Sequence, residues 1–185
     1  MPDASTPMKS TQWDSSWPRL LNQIERKDVL SYLEHEFGFP PGLFVPFDLL
    51  RTSRTIYLFR RIKGITVLQD LKIQNLGLPA IRQLGKHLKP TTKFVQVFGA
   101  FAKKNVLDLD EKQLIALAEK GEIVMPISLK KGFYIIKNGP YFWGLALLTN
   151  KAAGETGHRA KNENKGPSTL KSYLSKQMVT TILNR

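Results

Sequence analysis

NVLDLDEKQLIALAEKGEIVMPISLKKGFYIIKNGPYFWGLALLT, residues 105–149, decides how this chain is read. Asp110 is placed to cap a helix that turns Leu114, Ile115, Leu117 and Ala118 inward. Glu111 sits in its first turn, and Lys120 precedes Gly121 at its end, as the helix dipole favours. A strand is expected over residues 123–129, with Pro126 at an edge or bulge because proline cannot donate to a ladder. Gly132 opens a second strand over 133–137, Asn138-Gly139 is a two-residue hairpin signal, and 141–148 returns as a third. Gly144 inside that return strand implies close approach of backbone. Short strands, a tight hairpin and one capped helix predict a compact β-barrel closed by the helix.

The barrel segment is electrically balanced, with five basic and five acidic residues in 105–150, but its neighbours are not. Residues 51–104 hold 12 Lys and Arg against one acid, Asp70, and residues 151–185 hold seven against two, within a net charge of +13. Residues 1–50 are mildly acidic, with seven acids and four bases. Two basic blocks separated by a neutral one create a field suited to a polyanion. Nucleic acid is the first expectation; an anionic membrane surface and plain solubility are the rivals.

Missing residues exclude other chemistry. The chain has no cysteine, so disulfides, thiolate metal sites and Cys nucleophiles are absent. His35, His87 and His158 are far apart and form no metal-ligand spacing. There is no Walker loop and no GxGxxG turn, which removes the P-loop and dinucleotide readings. The longest apolar stretch, 141–148, is far short of the roughly 20 residues that span a bilayer. The N-terminus lacks the apolar core of a signal peptide. A soluble, cytoplasmic protein is expected, nuclear or nucleolar if the source is eukaryotic, with no cofactor, no metal and no catalytic residues.

The fold class expected is α+β. Residues 1–17 read as a disordered leader and 18–104 as a small α+β domain. Residues 105–152 read as the barrel and 153–185 as a basic tail. From Pro18, the apolar residues Leu20, Leu21, Ile24, Val29, Leu30, Leu33 and Phe37 predict a helix of about five turns, stopped at Gly38 by Pro40 and Pro41. Residues 43–50 read as extended or turn, 55–62 (TIYLFRRI) as a strand, and 66–69 and 70–75 as short strands. A helix is expected after Gly77, with Pro79 in its first turn and Ala80, Ile81, Leu84 and Leu88 in period. Lys93 to Phe98 alternates and reads as a strand. In the tail, Leu170, Tyr173, Leu174 and Met178 predict a helix over 168–182 that docks on the barrel. The rival is a loose phosphate-contacting arm carrying Lys161, Lys165, Lys171 and Lys176.

Candidate RNA contacts follow from these elements. Arg51, Arg54, Arg60, Arg61 and Lys63 flank a strand whose Tyr57 and Phe59 alternate with Leu58, so one sheet face can set aromatic rings beside guanidinium groups. The competing expectation is that Tyr57 and Phe59 face the core. Lys86, Lys89 and Lys93 cluster around the KPTTK turn, where they suit phosphate or a helix end. Tyr141 is a third stacking candidate.

In the order of its pieces, 105–150 resembles a PUA domain: strand and helix to Gly121, a basic-Gly turn at KKG, then FYIIKNGPYFWGLALL with Gly144. TIYLFRR followed by LGLPAIRQLGKHLKPTTKFVQVFGAFAKKNVLDL is similar to the domain that precedes PUA in Nip-type ribosome biogenesis factors and in the non-catalytic part of Sun-type rRNA methyltransferases. The resemblance covers about residues 43–151 and implies RNA binding by a basic surface on and after the barrel. It matches Lys130, Lys131 and Gly132 to the basic-Gly turn, and Lys151 and Arg159 to basic residues beyond the last strand. The tail departs from the family's compact ending. The expected function is non-catalytic binding of RNA, rRNA first, in ribosome biogenesis or RNA modification. Two alternatives stand beside it: an adaptor of a ribosome assembly complex docking through the acidic N-terminal helix, and an accessory part of an RNA methyltransferase.

Overall fold

The structure, a computed structural model, describes residues 18–63, 77–85, 87–125, 129–150 and 168–184. The expected leader, the short strands over 66–75, and Pro126, Lys86, Lys151, Arg159, Lys161 and Lys165 lie outside the described residues. The architecture is α+β: an N-terminal helix and a small sheet, then a curled, half-barrel sheet.

The first unit runs through β1 (Arg19–Leu20), α1 (Gln23–Phe37), a turn of 3-10 helix (Pro41–Phe44), β2 (Phe47–Arg51), β3 (Thr55–Arg60), β4 (Leu78–Leu84), β5 (His87–Pro90), α2 (Thr92–Phe98) and a second 3-10 turn (Gly99–Phe101). Its sheet is antiparallel throughout, in the order β1-β2-β3-β4-β5. Helix α1 is shorter than the apolar periodicity predicts. Asn22 starts it by accepting the Glu25 N–H at 2.9 Å, while its own N–H donates to the Glu25 carboxylate at 3.1 Å. Leu20 is left in β1 and Ile24 is exposed, so the inward stripe is Val29, Leu33 and Phe37. Gly38, at φ 67°, ends the helix as expected.

Two expectations reverse here. The stretch after Gly77 is strand β4 rather than a helix: Ala80 and Ile81 are buried, but Leu84, which would continue a helical stripe, is exposed. Ile81 sits between Ile56 of β3 and Pro90 of β5, and ladders on both sides satisfy backbone that a helix would satisfy internally. Conversely, Lys93 to Phe98 belongs to helix α2 rather than a strand. The Thr91 hydroxyl accepts the Phe94 N–H at 3.1 Å, and Phe94, Val95 and Phe98 turn inward at helical spacing while Val97 stays exposed.

The second unit comprises β6 (Val106–Asp108), α3 (Glu111–Lys120), β7 (Glu122–Met125), β8 (Gly132–Asn138), β9 (Tyr141–Asn150), β10 (Ser168–Ser172) and α4 (Lys176–Leu183). Its sheet order is β6-β8-β9-β10-β7, with β6 parallel to β8 and the other pairs antiparallel. The expected cap of α3 is present, Asp110 accepting the Gln113 N–H at 2.8 Å, and Gly121 closes the helix at φ 73°. The hairpin falls one residue later than Asn138-Gly139 predicts: Asn138 ends β8 and pairs with Tyr141, so Gly139, at φ 55°, and Pro140 form the turn to β9, and the Asn138 amide donates to the Leu109 carbonyl at 2.8 Å. The tail corrects the expected helix over 168–182. Residues 168–172 are strand β10, inserted between β9 and β7 with Ser168, Thr169 and Leu170 buried, and only 176–183 is helical. Without β10 the facing edges of β9 and β7 would lack ladder partners.

Strand β8 is buried on both faces, and this joins the units. Ile135 packs with Phe37, Phe39, Phe44, Phe94 and Phe98 in one core, whereas Ile136 joins Leu117, Trp143, Leu148 and Leu170 in the other. Where the second 3-10 turn meets β9, a Cβ on Gly99 would stand 2.7 and 2.9 Å from two ring carbons of Phe142 and 3.1 Å from its Cβ. Gly99→Ala should therefore wedge the units apart, at a cost of about 1–3 kcal/mol. A melting experiment should show Tm lower by roughly 2–12 °C, and an unchanged Tm would mean that the contact yields freely.

Candidate nucleic-acid interface

The face of the first sheet that turns away from its core is built by register. Thr55 of β3 pairs with Arg82 of β4, and Arg82 pairs with Lys89 of β5, so the three side chains stand in a row. Ile56 and Leu58 are buried in the core, so alternation puts Tyr57 on the opposite face, facing Pro79 across the ladder. After β5 the chain turns at Thr91, whose hydroxyl donates to the Pro79 carbonyl at 2.5 Å, and enters α2 with Lys93 outward. From the second unit, the segment leaving β10 crosses opposite. The Tyr173 N–H donates to the Leu145 carbonyl at 2.9 Å, and the first turn of α4 follows with Lys176. The Gln96 side-chain amide donates to the Met178 sulfur at 2.9 Å, tying α2 to α4.

Between these elements lies a cleft of about 920 Å³ whose walls come from both units. Arg82, Lys89, Lys93 and Lys176 line it, with no Asp or Glu among its described lining residues. The Lys89 ammonium lies 4.0 Å above the centre of the Tyr173 ring, a cation–π contact. Burial pushes that ammonium below its ordinary pKa, and the neighbouring charge of Arg82 adds to the effect. Tyr173 in turn meets Phe133 edge to face at 5.7 Å, so its ring is held from the barrel side. The cleft thus offers concentrated positive charge that the surrounding carboxylates do not neutralise, beside two tyrosine rings.

The expected contact residues divide. Lys89, Lys93 and Tyr57 meet in the cleft. Arg51 is turned into the fold, hydrogen-bonded to Gln83 and 3.5 Å from Glu25. Glu25 also takes a hydrogen bond from Arg19, which holds its carboxyl down at about 2. Arg61 is paired with Asp48 at 3.0 Å. Arg54, Arg60 and Lys63 are exposed, but Arg54 precedes β3 while Arg60 ends it, so that strand separates them rather than gathering them. Lys130 and Lys131 are exposed before β8, and the Tyr134 hydroxyl fixes their turn by donating to the Lys130 carbonyl at 2.8 Å. They do not line the cleft. Phe59 is half-buried and absent from the cleft lining, and Tyr141 is exposed at the hairpin end with its ring 6.3 Å from Trp143.

The expectation that Tyr57 faces the core is overturned by the burial of its neighbours Ile56 and Leu58. The guanidinium beside Tyr57 in the cleft is that of Arg82 from the next strand, a residue that the expected helix after Gly77 does not bring there. Tyr173 was assigned to a docking helix, yet it lies between β10 and α4 with its ring in the cleft. Alternation of aromatic and aliphatic residues in β3 is the available signal for Tyr57; nothing local marks Arg82.

Among the described residues no group of three or more His, Asp or Glu could hold a metal, and no helix is long and apolar enough to cross a membrane. Comparison with protein-family models, curated proteins and solved structures returned no match.

Proposed function

We propose that this chain is a non-catalytic RNA-binding protein whose main grip is the basic cleft between its two units. The observation that carries this reading is the convergence of Arg82, Lys89, Lys93 and Lys176 beside Tyr57 and Tyr173. Cations brought together without carboxylate partners repel one another, and a polyanion relieves that repulsion while releasing its own counterions. Tyrosine rings in the same cleft suit RNA better than a featureless polyanion, because bases stack on them. The Lys130–Lys131 turn, matched by the PUA resemblance, adds a second and narrower contact. That resemblance also favours rRNA, and a setting in ribosome biogenesis or RNA modification.

The test is a salt titration of binding to a structured rRNA fragment. Four phosphate contacts in the cleft should by themselves make log K fall with log salt at a slope of about −3, on the single-strand scale of about 0.7 per contact. A flat response between about 50 and 200 mM salt would overturn the proposal.

A further inference from the structure

Resting on the RNA-binding reading, we infer that the cleft takes an unpaired RNA segment of one or two nucleotides, with bases against Tyr57 and Tyr173 and phosphates on the surrounding cations. A duplex passing over it is not what this site fits. Size is the first reason. The cleft's volume of about 920 Å³ lies at the upper end of the range of roughly 300–1,000 Å³ that encloses a compact organic ligand. A nucleotide or two fits such a space and a double helix does not.

The lining is the second reason. A paired helix turns phosphates and sugars outward and keeps its bases stacked inside, so it could use only the cations. Tyr57, Pro79, Tyr173 and Met178 would then stay wetted and idle. An unpaired strand presents charge and base faces together, and this cleft presents partners for both. Hydrogen-bonding groups at Gln96 and Gln177, both in the lining, are of the kind that reads exposed base edges.

Lys89 supplies the third. Its ammonium occupies the face of Tyr173 from within a half-buried position, beside the like charge of Arg82. A base stacking on Tyr173 displaces that ammonium, and an arriving phosphate is a better partner for it than the ring. Both halves of one nucleotide therefore replace the Lys89–Tyr173 contact.

The experiment compares a single-stranded oligonucleotide with the blunt duplex of the same sequence, by fluorescence anisotropy on the whole chain at one salt concentration. The single strand should bind at least about tenfold tighter. Tyr57→Ala and Tyr173→Ala should each weaken it by about 5- to 150-fold, leaving duplex binding unchanged, while Tyr173→Phe, which keeps the ring, stays close to wild type. Photocrosslinking of a thiouridine-containing strand to the wild-type protein, mapped by mass spectrometry, requires no variant to fold. Adducts should fall on cleft residues including Tyr57 or Tyr173. Equal binding of strand and duplex, equal losses on both, or adducts confined to other surfaces would overturn the unpaired-segment inference while leaving salt-dependent RNA binding intact. Absence of salt-dependent binding to either nucleic acid would overturn the parent reading, and this inference with it.

Discussion

Replacing Arg82, Lys93 and Lys176 together by glutamine should flatten the salt dependence of RNA binding by about two units of slope, from roughly 0.7 per lost phosphate contact on a single strand. At about 0.15 M salt the same loss corresponds to roughly 50-fold weaker binding. The three were chosen because all are exposed at the cleft wall, so truncating their charge should leave the fold unaltered. Lys89 is left in place because it covers Tyr173, and its loss would change packing and charge at once. The comparison is Lys130→Gln with Lys131→Gln, two cations outside the cleft, which should change the slope by about 1.4 units at most. Arg51 and Arg61 serve as the opposite control. Both are engaged with carboxylates, so their replacement should leave the slope nearly unchanged. If the triple variant keeps the wild-type slope while the Lys130–Lys131 pair loses it, the grip lies at the barrel turn and the cleft assignment fails.

Phe94→Ala should be the most damaging single truncation, at about 3–5 kcal/mol. Phe94 is fully buried, with ring centres 5.4 Å from Phe39, 5.9 Å from Phe44 and 5.2 Å from Phe98. Those partners come from three places, the segment just after α1, the first 3-10 turn and α2 itself, and the same core takes in Ile135 and Leu145 of the second sheet. A void here cannot close by moving one element, so the contacts of several are lost together. Tm should fall by roughly 6–20 °C, and urea unfolding should show the midpoint shift with an unchanged slope. Because α2 also carries Lys93 and Gln96, RNA affinity should fall at temperatures near the new transition and recover below it. Phe94→Leu, which keeps most of the volume, should cost less than the alanine variant. A loss below about 1 kcal/mol for alanine would mean that the aromatic cluster repacks.

The elements that were legible in the sequence are those whose signals are local. Asp110 and Gly121 specify the two ends of α3 within a dozen residues, and Asn138-Gly139 locates a hairpin to within one residue, its turn falling on Gly139-Pro140 with the positive φ at Gly139. Gly38 ended α1 for the same local reason. The misread elements are those settled by distant partners. Leu78–Leu84 carries a helix-compatible apolar pattern, and it becomes a strand because β3 and β5 lie on either side of it. Lys93 to Phe98 reads as an alternating strand, and it becomes part of helix α2 because Thr91 caps that helix and the aromatic core receives Phe94 and Phe98. Residues 168–172 were assigned to a helix, and they complete a sheet whose other strands precede them by 18 residues or more along the chain.

The site divides along the same line. Composition alone determined that positive charge is concentrated in 51–104 and 151–185 and that cysteine chemistry is absent, since charge and residue type need no geometry. Which cations act together was decided only by the tertiary structure. Arg82 and Lys89 become neighbours through a ladder, Tyr173 and Lys176 arrive from a segment more than 80 residues away, and Arg51 and Arg61 are taken out of the field by Glu25 and Asp48. Electrostatic strength falls with distance and with pairing, and both are properties of the folded chain rather than of its order of residues.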